Sequence, residues 1–236
     1  AVEDRALNLR FASNNLKNNL LIVLAALRND GLVLKYASSS LKDSKYVVKE
    51  AVKNHGGSLY YASDRMKNTI EVVKEAVKES GRAIQLASYE MKRNPEVLKV
   101  VVEFHPWAIR YINPLYVTPE EYRNIVSIVV KQDGDLLRFV PAMSDESYDL
   151  RNDQSIVEIA VKQDGMALQY ADSNLKNNKD IVLAAVEQNG EAIQFASERL
   201  KRDEEVVNRA GINNSRANMV VSHYRDAIQH KKRRLN

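Results

Sequence analysis

The chain has 236 residues, among them 8 glycines, 5 prolines and no cysteine. This composition argues against a turn-rich all-β fold and against disorder, and it excludes disulfides and thiolate metal sites. The formal charge of +4 comes from 35 basic and 31 acidic residues, an excess well short of that of a nucleic-acid-binding tail. The longest apolar run, residues 20–27, is too short to span a bilayer.

A tandem repeat dominates the sequence. The pattern Gly-x-Ala-Leu-x-Tyr-Ala-Ser recurs in steps of 25 residues from Gly31 to Gly81 and again from Gly165 to Gly190. Two units carry insertions of 3 and 6 residues, and the earliest unit lacks the glycine. The eight units begin at Ala6, Gly31, Gly56, Gly81, Pro106, Gly134, Gly165 and Gly190.

Each unit is predicted to contain two helices joined by a turn that carries Leu-Lys or Met-Lys. The first helix is short, with Leu or Ile followed two positions later by an aromatic residue or Leu, as in Leu34 and Tyr36. The second has apolar residues at i, i+1, i+4 and i+5, which form one face of an α-helix. We expect the next unit's glycine to adopt the left-handed conformation that commonly ends a helix.

A capping residue precedes the second helix of each unit. Its side chain can accept a hydrogen bond from the free N–H groups of the first helical turn. Two helices also start with proline followed by an acid, which suits the first helical position and the positive end of the helix dipole. The predicted N-caps are Asn19, Ser44, Thr69, Asn94, Asp153, Asn178 and Asp203.

These patterns predict an all-α fold, an α-solenoid (superhelix) of about eight 25-residue helix-turn-helix repeats. A single unit cannot bury its own apolar face, so neighbours must stack. We expect one solenoid domain over 1–236, with regular repeats at 6–105 and 165–207 and irregular repeats at 106–164. A capping helix with one apolar stripe is predicted at about 215–230.

The N-terminal unit is unusual in its second helix. Leu20, Leu21 and Leu24 stand where the next unit has Lys, Tyr and Lys, so this helix is apolar nearly all round and should be covered. We expect either that upstream sequence is missing or that a partner docks there. The chain opens without methionine and without a basic-then-apolar segment, which predicts no signal peptide and a processed form or fragment of a longer protein.

The recurring Gly-x-Ala-Leu-x-Tyr-Ala-Ser-x-x-Leu-Lys-x-Asn/Asp-x-x-Val-Val-x-x-Ala-Val resembles a helical repeat family catalogued as a domain of unknown function, family 4116. The resemblance covers roughly residues 6–105 and 134–210 and is weakest at 106–133, where Pro106-Trp107 and Asn113-Pro114 break the pattern. Proteins of this family occur in protists and intracellular bacteria, and include secreted effectors. The resemblance brings no catalytic residues and implies a helical interaction module.

The sequence contains none of the common catalytic motifs, so we expect no enzyme, no cofactor and no metal. His223 and His230 are seven residues apart and can share a helix face, but a solvated capping helix is favoured over a metal site. One acidic cluster has a spacing that suits a hard cation, yet an exposed loop with an N-cap is favoured there as well. That cluster consists of Asp145, Glu146, Asp149 and Asp153.

Two rows of equivalent positions contain no acid and would form stripes along a solenoid, suited to phosphates or an acidic peptide. In the turns, a structural role is favoured because each cation can satisfy the last carbonyls of a short helix. This ladder is Lys17, Lys42, Lys67, Lys92, Arg151, Lys176 and Lys201. For the row on the first helices, binding and structural roles are nearly even. Its members are Arg10, Lys35, Tyr60, Gln85, Arg110, Arg138, Gln169 and Gln194.

The unit that begins at Pro106 holds the only tryptophan, Trp107, together with Tyr111 and Tyr116. Aromatic residues of this kind are enriched in binding hot spots, and irregular units can carry function in repeat proteins. The alternative, slightly favoured, is a packed kink that changes the direction of the superhelix.

We predict a non-enzymatic protein-interaction scaffold, a module of a secreted bacterial effector, with a protein partner. Its expected location is the cytoplasm, that of the host if it is translocated. The alternative is a binder of nucleic acid or another phosphate-rich anionic ligand through the basic stripes. The predicted partner-binding residues are Trp107, Tyr111, Tyr116, Arg110, Arg138, Lys35, Tyr60, Gln85, Leu20, Leu21 and Leu24.

Overall fold

The computed structural model describes residues 8–145, 148–212 and, beyond these, only 221, 222 and 224. Within these residues every regular element is a helix, as the sequence predicts. The chain divides into two compact units, Ala1–Thr118 and Pro119–Asn236, and each is described by itself. A single domain over 1–236 stays a prediction. Most of the predicted capping helix, with His223 and His230, lies outside the described residues.

Each repeat contributes one long α-helix. The first unit contains α1 (Leu20–Leu27), α2 (Lys45–Asn54), α3 (Ile70–Glu79) and α4 (Pro95–Phe104). The second unit contains α5 (Pro119–Gln132), α6 (Gln154–Gln163), α7 (Lys179–Gln188) and α8 (Glu204–Ile212). Within each unit consecutive long helices pack against each other, so each unit is a stack of repeats. None of the helices in the described part of the chain is long and apolar enough to cross a membrane.

The four predicted apolar positions of the long helices form the core. Val47, Val48, Ala51 and Val52 on α2 are fully buried, and so are the equivalent residues on α3. Their i, i+1, i+4, i+5 spacing places them on one side of the helix. Burial of apolar surface contributes about 25 cal/mol per Å², and a repeat gains it only through its neighbours.

The predicted first helix of each repeat is a 3₁₀ helix. Its Leu or Ile is buried, as at Leu34 and Leu168. The 3₁₀ helices are Asn8–Phe11, Gly31–Tyr36, Gly56–Tyr61, Gly81–Leu86, Pro106–Tyr111, Gly134–Phe139, Gly165–Tyr170 and Gly190–Phe195.

In most repeats the segment predicted as a turn is itself helical. A residue such as Ser38 or Asp172 caps it by accepting a backbone N–H bond from the segment, which favours a further helical turn. Short α-helices span Asn14–Lys17, Ser39–Lys42, Asp64–Lys67 and Ser173–Lys176. Short 3₁₀ helices span Met91–Arg93, Pro114–Tyr116 and Leu200–Arg202.

Five of the seven predicted N-caps are confirmed by side-chain bonds to the first turn of a long helix: Asn19, Asn94, Asp153, Asn178 and Asp203. Ser44 and Thr69 also stand at the N-cap position, as predicted, but neither side chain makes the expected bond to the first turn. The Thr69 hydroxyl donates instead to the carbonyl of Arg65 over 2.8 Å, so it satisfies the preceding short helix.

The prediction that repeat glycines adopt a left-handed conformation is wrong. No described glycine has a positive φ. The glycine backbone instead lies against the long helix of its own repeat. A Cβ on Gly31 would lie 2.2 Å from the carbonyl oxygen of Ala51, and a Cβ on Gly165 would lie 2.3 Å from that of Ala185. Glycine is required because no side chain fits at this close approach.

The same glycines are hydrogen-bonded to the end of that long helix. The Gly31 N–H donates to Asn54 Oδ1 over 2.9 Å, and the Gly165 N–H donates to Gln188 Oε1 over 2.6 Å. The amide group of Gln188 also donates to the Gln163 carbonyl over 3.2 Å. We refer to this contact between a glycine and the last side chain of the next long helix as the glycine junction. It recurs in the pairs Gly56–Glu79 and Gly134–Gln163.

A backbone bond adds a second link between successive repeats. The N–H of the residue that caps the short helical segment donates to a carbonyl of the preceding repeat's ladder residue, over 3.0 Å between Ser63 and Lys42. The equivalent pairs are Ser38–Lys17, Ser88–Lys67, Asp172–Arg151 and Ser197–Lys176. These two links hold the 3₁₀ helices of a unit in register, so that equivalent positions on them face the same way.

Candidate partner-binding site

The fourth repeat lacks the glycine junction. Phe104, which is 55% exposed, stands where other repeats have Asn54 or Gln188, and a phenyl ring offers no acceptor. The Gly81 backbone lies beside His105 instead: a Cβ on Gly81 would be 2.7 Å from the His105 Cβ. His105 Nε2 lies 3.0 Å from the Lys78 carbonyl oxygen, so an imidazole link replaces the usual one.

Trp107, Arg110 and Tyr111 come together directly after this link, on the 3₁₀ helix Pro106–Tyr111. The two rings meet edge to face with centroids 5.8 Å apart. Arg110 Cζ lies 5.5 Å from the Trp107 ring centroid and 6.0 Å from that of Tyr111, within cation–π range. Arg110 Nε also donates to the Trp107 carbonyl over 3.2 Å. We refer to these three residues as the aromatic cluster; its Arg110 is exposed and its rings are partly exposed.

Tyr116 lies in a different group of side chains. Its ring meets that of Tyr89 edge to face at 5.3 Å. Arg93 donates to the Tyr89 hydroxyl over 2.9 Å and to the Tyr116 carbonyl over 3.2 Å, and so connects the fourth and fifth repeats. Tyr89 and the neighbouring Leu115 are 57% and 61% exposed. The repeat pattern of the sequence does not single out Tyr89, Arg93, Phe104 or Leu115.

The other first-unit members of the first-helix row have separate surroundings. Lys35 Nζ lies 4.7 Å from the centroid of the Tyr36 ring. The exposed Tyr60 ring meets Tyr61 edge to face at 5.1 Å. Gln85 is exposed and makes no side-chain hydrogen bond among the described residues. The row in this unit therefore has spaced cationic, aromatic and amide groups rather than continuous positive charge.

In the second unit the charge of Arg138 is compensated. Arg138 pairs with Asp135 at 2.7 Å and lies over the Phe139 ring at 4.7 Å. The Tyr170 hydroxyl donates to the same carboxylate over 3.2 Å. Burial, and then the charge of Asp135, raises the pKa of Tyr170. The remaining members of the row in this unit are the neutral Gln169 and Gln194.

The sequence favours a structural role for the lysine ladder, and two of its lysines make the predicted bonds to helix carbonyls. Lys42 Nζ donates to the Lys35 carbonyl over 2.8 Å, and Lys176 Nζ donates to the Gln169 carbonyl over 2.7 Å. Partial burial lowers the pKa of both amino groups. Lys201 pairs with Glu198 at 2.8 Å. These cations are engaged within the repeats, which weakens the case for a phosphate-binding stripe.

The apolar surface of the first repeat is open in the described part of the chain. Leu21 is 77% exposed and Leu20 is also exposed, whereas Leu24 is partly buried. Ile22 is exposed although its equivalent Val47 is fully buried, because this position faces the preceding repeat. A groove of about 400 Å³ lies beside it, lined in part by Leu16. Residues 1–7 lie outside the described residues.

Among the described residues no group of three or more His, Asp or Glu side chains could hold a metal ion. Asp153 caps α6 and pairs with Arg123, as the loop-and-cap interpretation requires. Asp149 has one buried oxygen without a hydrogen-bond partner. Glu146 lies outside the described residues.

The fold and these junctions define a class of all-α tandem-repeat proteins built from a 3₁₀ helix, a short helical segment and a long α-helix. The model of the family described as "Domain of unknown function (DUF4116)" matches residues 1–42, 44–92, 70–116, 122–176, 153–201 and 178–224. The chain belongs to this family, which confirms the resemblance drawn from its repeats. No curated protein and no solved structure matches the chain.

Proposed function

We propose that the chain is a non-enzymatic protein-interaction scaffold and that the aromatic cluster is its main contact surface. The observation that carries the proposal is the grouping of a Trp, a Tyr and an Arg within cation–π range on one short helix. These three residue types dominate the energetics of protein interfaces. Their rings are partly exposed, so a partner can bury the area that remains in contact with water.

The irregular link supports the same proposal. A glutamine or asparagine at position 104 would provide an acceptor for the Gly81 N–H, as in other repeats. Phe104 provides none, and its large apolar side chain is exposed. Leu115 and Tyr89 add exposed apolar area in the same unit. Exposed apolar side chains that do not stabilise the fold are typical of interaction sites.

Binding of nucleic acid through basic stripes has less support. Arg138 is paired with Asp135, and Lys42 and Lys176 are bonded to carbonyls. Affinity for a phosphate backbone depends on many cations that release counterions together, and these three are already engaged. On the family resemblance we also propose that the chain is a module of a bacterial effector that acts in the host cytoplasm.

The test is affinity capture from a eukaryotic and a bacterial lysate with the wild type, the Trp107→Ala/Tyr111→Ala variant and a Tyr46→Ala control. Tyr46 is an exposed aromatic residue on α2, outside the cluster. All variants are first compared for helicity and melting temperature. We expect a protein that is captured from the eukaryotic lysate by the wild type and the control, with at least about tenfold less captured by the double variant.

Two results would contradict the proposal. One is a partner captured equally by the wild type and the double variant, which would place the contact elsewhere. The other is recovery of nucleic acid that is lost steeply as salt is raised from about 50 to 200 mM, and lost in an Arg110→Glu/Arg138→Glu variant. The second result would establish the alternative function. Capture from the bacterial lysate alone would contradict the host location.

A further inference from the structure

A cleft of about 510 Å³ opens between the 3₁₀ helices Gly56–Tyr61 and Gly81–Leu86 in the first unit. One wall is formed by His55, the last residue of the second repeat, and by Gly57 of the third. The other is formed by residues of the fourth repeat, among them Arg82, Gln85 and Leu86. The volume is in the range of small-ligand sites, which are concave and carry a few convergent polar groups.

The cleft exists where one repeat lacks a side chain. The second position of the 3₁₀ helix is Gly57 here, whereas other repeats have Leu32, Arg82, Trp107, Asp135, Met166 or Glu191. Gly57 does not need to be glycine for backbone reasons, because its φ is not positive. A Cβ there would meet only the tip of the His55 ring, at 3.1 Å. The missing side chain therefore leaves space without being required by the fold.

Three polar side chains at the cleft have no partner within the described residues. Arg82 makes neither an ion pair nor a hydrogen bond, and the Gln85 amide and the His55 ring make no hydrogen bond. Most other described arginines are paired, for example Arg65 with Asp43 at 2.8 Å. An unpaired guanidinium presents the planar fork of donors that binds a carboxylate through two hydrogen bonds.

The fourth polar group, the Glu79 carboxylate, limits the charge of the ligand. Its Oε2 accepts the Gly56 N–H in the glycine junction, so the side chain is held in the wall of the cleft. This carboxylate repels a doubly charged phosphate more strongly than a singly charged carboxylate, so the smaller ligand charge is favoured beside Arg82. Ala83 and Leu86 provide apolar wall for a short aliphatic stem.

We propose that this cleft binds a glutamate or aspartate side chain of the protein partner, with Arg82 pairing to the carboxylate and Gln85 donating a hydrogen bond to it. The proposal rests on the scaffold function and names the chemistry that the partner presents: an acidic side chain on an extended or loop segment. Gln85 belongs to the first-helix row, so a partner bound along the row reaches the cleft.

The test uses the full chain labelled with ¹⁵N and two acetylated, amidated pentapeptides, Gly-Leu-Glu-Leu-Gly and Gly-Leu-Gln-Leu-Gly. We expect the glutamate peptide to shift the amide resonances of Gly57 and Arg82 saturably. The glutamine peptide should bind at least about tenfold more weakly, because a hydrogen bond between two charged groups is stronger than one to a neutral amide.

Two variants and a control locate the site. Arg82→Gln should weaken binding of the glutamate peptide by at least about tenfold. Gly57→Leu, which restores the side chain present in the second repeat, should abolish it by filling the cleft. Arg202→Gln removes the same charge in the second unit from an exposed position and should bind like the wild type.

The proposal is overturned if the two peptides bind equally, if neither shifts Gly57 and Arg82, or if both cleft variants bind like the wild type. Tighter binding of a phosphoserine version of the peptide would overturn it in favour of a phosphate site. The Trp107→Ala/Tyr111→Ala variant should keep wild-type affinity for the glutamate peptide. Failure of the cleft and failure of the aromatic cluster are therefore observed in separate experiments.

Discussion

The glycine junction of the second repeat differs from the equivalent contact of the fourth repeat in a single side chain at the end of a long helix. At the first, Asn54 accepts the Gly31 N–H and also donates to the Arg28 carbonyl over 3.2 Å. At the second, Phe104 does neither, and its ring is left in contact with water. The regular junction satisfies buried backbone groups. The irregular junction lacks the side-chain acceptor for the glycine N–H, and the aromatic cluster follows it along the chain.

The difference indicates a division of roles among repeats that share one pattern. Where the last residue of the long helix is an amide or a carboxylate, the side chain serves the stack. Where it is Phe104, the repeat stays joined through His105 and Arg93. Exposed rings follow at once. We infer that regular junctions carry stability and that the irregular junction carries binding, and this can be tested through stability alone.

The largest expected effect is at the glycine of a regular junction. Gly165→Ala places a Cβ 2.3 Å from the carbonyl oxygen of Ala185, which belongs to a helix backbone and cannot move by itself. We expect a loss of about 3 kcal/mol in the free energy of unfolding, because overpacking of a rigid contact forces the backbone apart. Urea denaturation followed by circular dichroism measures it.

Gly57→Ala is the matched control. Its Cβ meets only the His55 ring tip, so we expect a change within about 0.5 kcal/mol. Equal losses in the two variants would mean that glycine is needed for a reason other than close approach, and the comparison between junction glycines and Gly57 would fail.

The sequence predicts much of the stack but not the role of its glycines. Helical periodicity records which residues are buried, so Val47, Val48, Ala51 and Val52 could be assigned to the core. The close approach of Gly31 involves Ala51, twenty residues along the chain, and no local pattern reports such a contact. The preference of helix ends for a left-handed residue explains a recurring glycine, but it is not the reason for the glycine here.

The candidate site was predictable to the extent that its contacts are local. Trp107, Arg110 and Tyr111 meet because three and four residues bring side chains to one side of a helix. The pairing of Arg138 with Asp135 follows the same spacing and could have been found. The contact of Tyr116 with Tyr89 depends on packing between repeats, so the sequence did not separate Tyr116 from the cluster.

A second prediction compares the two kinds of junction directly. Gln188→Ala removes the acceptor of the part-buried Gly165 N–H and should cost about 1–3 kcal/mol, the range for a hydrogen-bonding group left unsatisfied. Phe104→Ala removes a larger side chain, yet 55% of it is already exposed, so the cost should stay below about 1 kcal/mol. The measurement is again the free energy of unfolding in urea.

This order reverses the usual ranking, in which loss of a phenyl ring costs more than loss of an amide. Gln188→Glu keeps an acceptor for Gly165 and should retain most of the wild-type stability. A Phe104→Ala variant less stable than Gln188→Ala would show that Phe104 belongs to the folding core, and the inferred division of roles would be wrong.

The smallest effect is expected at Ser58 of the third repeat, which lies beside Gly31 in the regular junction of the second repeat. Its side chain is fully buried and its hydroxyl has no hydrogen-bond partner. The equivalent position is polar in the first repeat, at Asn8, and apolar in the other six: Val33, Ala83, Ala108, Leu136, Ala167 and Ala192. An unsatisfied buried hydroxyl is unfavourable, so Ser58→Ala should leave stability unchanged or raise it by up to about 1 kcal/mol.

The same substitution five residues further on should have the opposite sign. The Ser63 hydroxyl accepts the Met66 N–H over 3.2 Å and donates to Asp43, so Ser63→Ala should lower the free energy of unfolding by about 1 kcal/mol. Comparing the two variants distinguishes, within one repeat, a serine hydroxyl whose hydrogen bonds stabilise the fold from one that makes none. If Ser58→Ala were as destabilising as Ser63→Ala, Ser58 would have a partner in solution, and the regular junctions would hold a polar contact beyond those of the glycines.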